Sequence, residues 1–143
     1  MPPGSGNAIN VFFEDRSFRI SKEEVRYTAA RVLELENSKS KDINIIFTGN
    51  RQIRKLKKRY FGINTVTDVI SFNMDDHLLG EIYISLPRAR AQANENGISI
   101  KTEVKRLIIH GVLHLLGYDH EDADDYNTMF DKQELYLKLA VKQ

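Results

Sequence analysis

Residues 99–120 read SIKTEVKRLIIHGVLHLLGYDH, and this stretch decides how the chain must fold. Ser99 is a helix N-cap residue type, and Gly117 is a residue type that stops a helix at low cost. Between them, Leu107, Ile108, Val112, Leu113, Leu115 and Leu116 leave the helix almost no polar side. A helix that is apolar nearly all round is buried, so other elements must cover it. The apolar run Leu107–Leu116 is about half a membrane span and contains two histidines, which argues against a transmembrane helix.

The flanking segments supply the cover. Ile9–Glu14 (INVFFE) is β-branched and aromatic and predicts a strand. Ser21 and Glu24 have the spacing of a capping box and open a helix to about Glu36, with Val25, Ala29, Val32 and Leu33 at helical spacing. Asp42–Thr48 (DINIIFT) predicts a second strand, and Asn50 caps a short helix to about Phe61. Thr67–Asn73 (TDVISFN) and Leu79–Ser85 (LGEIYIS) predict two more strands around a polar turn at Asp75–His77. Ser85 caps a helix with Pro87 in its first turn and Gly97 at its end, and a last helix spans about Asp122–Val141. The order β-α-β-α-β-β-α-α-α predicts an α+β fold: a small mixed four-stranded sheet with helices packed on it.

The chain's length of 143 residues fits one domain. Size scaling gives a folded surface of about 7,500 Å² against about 24,000 Å² for the extended chain, enough burial for a core without staples. Apolar residues at 41% and charged residues at 29% are those of an ordinary soluble domain. The absence of cysteine excludes disulfides, thiol nucleophiles and thiolate-bound zinc. Residues 1–7 (MPPGSGN) are expected to be disordered, leaving 8–143 as a single catalytic, metal-binding domain. Met1–Gly6 lacks the build of a signal peptide, so the expected location is the cytoplasm.

Three of the four histidines fall in His110-Gly-Val-Leu-His114-Leu-Leu-Gly117-Tyr-Asp-His120. His110 and His114, four apart, lie on one helical face, and a sharp turn at Gly117 can return His120 toward them. Three neutral imidazoles make a good shell for Zn²⁺ with a fourth position open, the mark of a catalytic site. The competing reading is a hydrogen-bond network shared by buried imidazoles. The spacing H-x-x-x-H-x-x-G-x-x-H is also that of metzincin proteases, so the helix is metzincin-like. Those enzymes place a general-base Glu after the first His, where this chain has Gly111. A metallopeptidase reading therefore keeps the ligands and loses the base. Asp119 is either a carboxylate acting on a histidine or on water at the site, or a turn former. Asp68 is either a cleft group or a strand-end hydrogen bonder. His77 has no evident role.

The segment HGVLHLLGYDH closely resembles the signature of the YbeY family of ribosomal RNA maturation factors. Thr67-Asp-Val-Ile-Ser-Phe72 is similar to that family's TDVLSF strand, and Leu79–Ser85 to its GDI-x-IS strand. The resemblance runs from about Ile9 to the C-terminal helix. It implies one Zn²⁺ per chain held by His110, His114 and His120. It also implies single-strand-specific endoribonuclease activity in maturing the 3′ end of small-subunit ribosomal RNA, with a part in ribosome quality control. Where the family has Tyr-Arg-Gly, this chain has Tyr60-Phe61-Gly62, so Phe61 stands in place of an arginine. Val66 and Asn73 replace two prolines. These departures lie outside the histidine motif and bear on how a substrate phosphate is held.

Residues 51–60 (RQIRKLKKRY) carry six cations and no acidic residue. Arg54, Lys55, Lys57, Lys58 and Arg59 are the candidate RNA contacts, against the plainer reading of a solvated helix face. Arg88, Arg90, Lys101, Lys105 and Arg106 are candidates to extend that surface. The expected partners are single-stranded or ribosomal RNA and the ribosome or its proteins, with no membrane. The alternative to a nuclease is a ribosome-assembly protein with a structural zinc.

Overall fold

The computed structural model describes residues 8–39, 42–74, 78–118 and 122–141. Among them the chain runs β1 (Ile9–Phe13), α1 (Lys22–Leu35), β2 (Ile43–Thr48), α2 (Asn50–Phe61), β3 (Val69–Asn73), β4 (Gly80–Ser85), α3 (Leu86–Asn96), α4 (Ile100–Leu115) and α5 (Ala123–Val141). The strands lie in the order β1-β2-β4-β3. β1 with β2 and β2 with β4 pair in parallel, and β3 pairs antiparallel with β4 at the edge. The sheet is thus mixed and four-stranded, as its element order predicts.

Side chains alternate across a strand, so the two sheet faces differ. One face presents Ile9, Val11, Ile43, Ile45, Phe47, Ile82 and Ile84, all buried. Each such side chain contributes roughly 1.5–3 kcal/mol by leaving water. On the other face a polar row crosses the sheet, with Asn10 Nδ2 donating to Asn44 Oδ1 and Asn44 Nδ2 to Glu81 Oε2. Helix α4 lies at the centre of the helical layer, against α1, α3, α5, β3 and β4. Its Val104, Leu107, Ile108, Ile109, Val112, Leu113 and Leu115 are buried on several sides, as its composition requires.

The caps follow sequence chemistry with one exception. Ser21, Ser85 and Ser99 each accept an N-terminal backbone N–H, from Glu24, Arg88 and Thr102. Asn50 does not cap α2. Gly49 occupies the N-cap position, and the Asn50 side chain instead accepts a hydrogen bond from the Ser85 hydroxyl at 2.6 Å. That bond ties the start of α2 to the end of β4.

Gly111 brings α4 close to the sheet. A Cβ added there would stand 2.7 Å from Ile82 Cγ2 and 3.2 Å from Ser71 Oγ. In the space that remains, Ser71 Oγ donates to the Gly111 carbonyl at 3.1 Å. Two residues along β3, Asn73 Nδ2 donates to the Leu115 carbonyl at 2.8 Å, one of the helix-end acceptors without an intrahelical donor.

The C-terminus of α4 ends in a Schellman turn. Gly117 has φ +104°, its N–H donates to His114 O, and Tyr118 N–H donates to Leu113 O. Tyr118 is then held through its hydroxyl, which donates to Glu36 Oε1 at 2.8 Å. The same carboxylate accepts from Lys132 Nζ at 2.9 Å and from the Tyr136 hydroxyl, so one side chain at the end of α1 joins the turn to α5. Burial works to raise the Glu36 pKa, but the bonds from Tyr136, Lys132 and Tyr118 outweigh it and hold the carboxyl below its ordinary 4.5.

Replacing Gly111 by Ala is expected to lower stability by about 1–3 kcal/mol through overpacking against Ile82, read as a fall in the urea midpoint. Glu36 gives a pH signature. A carboxyl with a depressed folded pKa contributes stability in full above its unfolded pKa, and that contribution is lost as pH falls through the folded one. Glu36→Gln should therefore be less stable than the parent at pH 7 and should narrow the gap as pH drops below 4.5. Urea titrations at pH 7, 4.5 and 3 check this.

Candidate active site

His110 and His114 sit one turn apart on α4, on the side that faces the β3 edge. Their rings meet edge to face with centroids 4.6 Å apart. Both are partly exposed on a helix whose neighbouring side chains are buried. They line an open groove of about 470 Å³ together with Asp68, Ser71, Lys57 and Phe61. The spacing alone places both imidazoles on one face; the Ser71 and Asn73 bonds to the helix carbonyls fix that face against the strand.

The tautomer of His110 follows from its partner. His110 Nδ1 lies 2.7 Å from Gln133 Oε1 on α5. Gln133 Nε2 donates to Glu134 Oε2 at 3.1 Å, and because a carboxylate only accepts, the amide oxygen must be the atom facing His110. Nδ1 therefore carries a proton, and in the neutral imidazole Nε2 is the acceptor nitrogen. Gln133 is buried at 7% exposure, and the bond to the partly exposed His110 is part-buried. Glu134 is in turn gripped by Arg106 through Nε at 2.9 Å and Nη2 at 3.1 Å, and Arg106 Nη1 reaches Glu103 at 2.7 Å. Burial works to raise the Glu134 pKa, and the bonds from Arg106 and Gln133 bring it below the ordinary value. Burial pushes Glu103 up in spite of Arg106.

Asp68 fills both roles that its sequence position allows. It lines the histidine groove and also a smaller cavity of about 190 Å³ beside His110. Its carboxylate accepts from Gln92 Nε2 at 3.1 Å, and its carbonyl accepts from Ser85 N–H. His120, Asp119 and His77 lie outside the described residues. Among the described residues, no three His, Cys, Asp or Glu side chains are grouped to hold a metal ion.

The cations of α2 do not act as one patch. Lys57 reaches the histidine groove. Arg54, Lys55 and Lys58 line a separate groove with Arg51 and Asn64. Arg59 packs its guanidinium 5.6 Å over the Tyr60 ring. The proposed extension fails in part: Lys105 is buried against Glu24, Lys101 pairs with Glu24, Arg90 donates to Ser17 O, and Arg106 is held between two glutamates. Lys105 and Arg106 are committed to these pairs, while Lys101 and Arg90 stay exposed. Gln133 escapes sequence reading because its role depends on where α5 docks, 23 residues away in sequence from His110.

The sequence model of the family described as Endoribonuclease YbeY matches residues 10–140. An "Endoribonuclease YbeY" of Sulfurihydrogenibium sp. (strain YO3AOP1) is 41% identical over 95% of each chain. One of Geobacillus sp. (strain WCH70) is 35% identical over 91% of this chain and 95% of its own. The solution structure of TM1509 from Thermotoga maritima superposes with a TM-score of 0.64 at 27% identity, covering 92% of this chain and 88% of that one.

The Gln133 contact makes a prediction independent of any ligand. In metal-free protein at pH 8, ¹⁵N chemical shifts should show His110 protonated on Nδ1, and Gln133→Leu should abolish that bias.

Proposed function

The chain belongs to the endoribonuclease YbeY family, and on that premise we propose that it is a zinc-dependent, single-strand-specific endoribonuclease. Its substrate in this reading is the precursor of small-subunit ribosomal RNA, cut toward the 3′ end in the cytoplasm, with a part in ribosome quality control. The observation that carries the metal part is the pair His110 and His114 on one face of α4, with His110 Nδ1 committed to Gln133. An imidazole whose Nδ1–H is fixed in this way offers Nε2 as a ligand, the usual arrangement behind a metal-bound histidine. The donor set therefore fits zinc: His110 and His114 would hold it together with His120, which the resemblance supplies. The chemistry that zinc supplies when bound is Lewis acidity toward a phosphoryl oxygen and toward water.

The chain's own groups do the rest. Lys57, in the histidine groove, offsets the charge of a phosphate brought there. Ser71 and Asn73 hold α4 so that the imidazoles do not shift as substrate enters. Asp68, tied down by Gln92, is an acceptor at the groove wall in reach of a water or a ribose hydroxyl. Gly111 counts against the metallopeptidase reading, since a glutamate there would need a Cβ at 2.7 Å from Ile82.

Purified protein is expected to carry close to one zinc per chain by elemental analysis and to cleave single-stranded RNA in a zinc-dependent manner. His114→Ala should lose the zinc and lower cleavage at least 100-fold while keeping its circular dichroism. Undiminished RNA binding without metal-dependent cleavage would instead favour the assembly protein with a structural zinc, and cleavage of a peptide panel would favour the peptidase.

A further inference from the structure

Beside the histidines, the end of α2 leaves aromatic surface uncovered. Tyr60 is 57% exposed and Phe61 55%, and Ile63 follows at 47%. Large apolar side chains grouped in this way mark a binding surface. Their arrangement is ordered. Phe61 lies nearly parallel to Phe72, with centroids 6.0 Å apart and planes 12° apart. Phe72, on β3, is wedged by Tyr60 at 4.9 Å and by the edge of Tyr83 at 6.0 Å. The rings thus form a short stack anchored in the sheet, with Phe61 as its outer member. Phe61 and Lys57 are one helical turn apart, and both line the groove that contains His110 and His114.

The charges around the stack select its occupant. Of the six cations in residues 51–60, Lys57 lines the groove and Arg59 lies over the Tyr60 ring, while the segment holds no carboxylate. Among the described residues, the carboxylates nearest to the stack and the groove are already bonded: Asp68, on the groove wall, accepts from Gln92, and Glu81, across from Phe72, accepts from Tyr83 and Asn44. An apolar protein surface would find little to neutralise Lys57 and Arg59. A polyanion bearing flat rings satisfies both features, and only an unpaired strand presents the faces of its bases. We infer that Phe61, backed by Phe72, is a stacking platform for one unpaired base of an RNA strand whose phosphate lies at Lys57, adjacent to the two histidines. This inference rests on the nuclease reading and adds the group that recognises single-strandedness.

The test uses the purified full chain and a fluorescein-labelled ten-nucleotide single strand with 2′-O-methyl riboses. Phe61→Ala should weaken binding about 5- to 150-fold, the range for loss of one stacked base, and should leave the salt dependence unchanged because no charge is removed. Phe61→Leu, which keeps apolar bulk without a ring, should weaken it similarly, and Phe61→Tyr should retain it. The chain has no tryptophan, so Phe61→Trp adds a single reporter. Its emission should be quenched by the single strand and not by inorganic polyphosphate. If the parent binds the strand with normal salt dependence and Phe61→Ala and Phe61→Leu bind equally well, the platform is overturned while the RNA reading stands. If the parent binds no strand at low salt, both fall.

Discussion

The approach of α4 to the β3–β4 pair is the constraint on which the site depends. At Gly111 the helix backbone comes so near the strand that a methyl group would collide with Ile82. Only at that separation can the Ser71 hydroxyl reach a helix carbonyl, with Asn73 doing the same one turn later. The two bonds, one turn apart, bracket His114. Buried between sheet and helices, α4 also has no freedom to roll, because its apolar side chains point in several directions into the core. A helix packed through one stripe could rotate to relieve strain; this one cannot. The position of the two imidazoles is therefore a property of the whole core.

The second support comes from α5 and is polar. Hydrogen bonds run from His110 through Gln133 and Glu134 to Arg106 and Glu103, and return to α4. Each donor in that run faces an acceptor that cannot itself donate, which gives the amide and the imidazole one orientation each. Such a network costs desolvation and stabilises modestly at best, since a buried ion pair of this kind roughly repays its own burial. Its value lies in orientation. Glu36 performs a parallel task on the same stretch of α5, where it joins Tyr118, just beyond the Schellman turn, to Lys132 and Tyr136.

Much of this was legible from local sequence, for a physical reason: caps, helix stops and alternation are short-range effects. The serine caps, the Gly117 reversal, the buried helix and the pairing of neighbouring histidines all follow from residues within a turn of each other. What depends on contacts distant in sequence was not legible. Asn50 reads as a cap until β4 brings Ser85 to its side chain. The ten-residue basic segment reads as one surface, yet helical geometry sends Lys57 to one groove and Arg54, Lys55 and Lys58 to another. Gly111 is conspicuous in sequence only as a missing glutamate; its closeness to Ile82 is the reason a larger residue there overpacks. Gln133 carries no local signal at all.

The groove joins two kinds of recognition on one short helix. Charge acts over a Debye length and holds any polyanion, single or double stranded. A ring face acts only in contact and only on a base free to leave its partner. Lys57 and Phe61 present both from adjacent turns of α2, and the ring is braced by the same strand, β3, that braces the histidine helix. Because Phe72 and Ser71 are successive residues of β3, their side chains point to opposite faces of the sheet. One strand thus meets the ring stack on one face and the histidine helix on the other, at the free edge of the sheet.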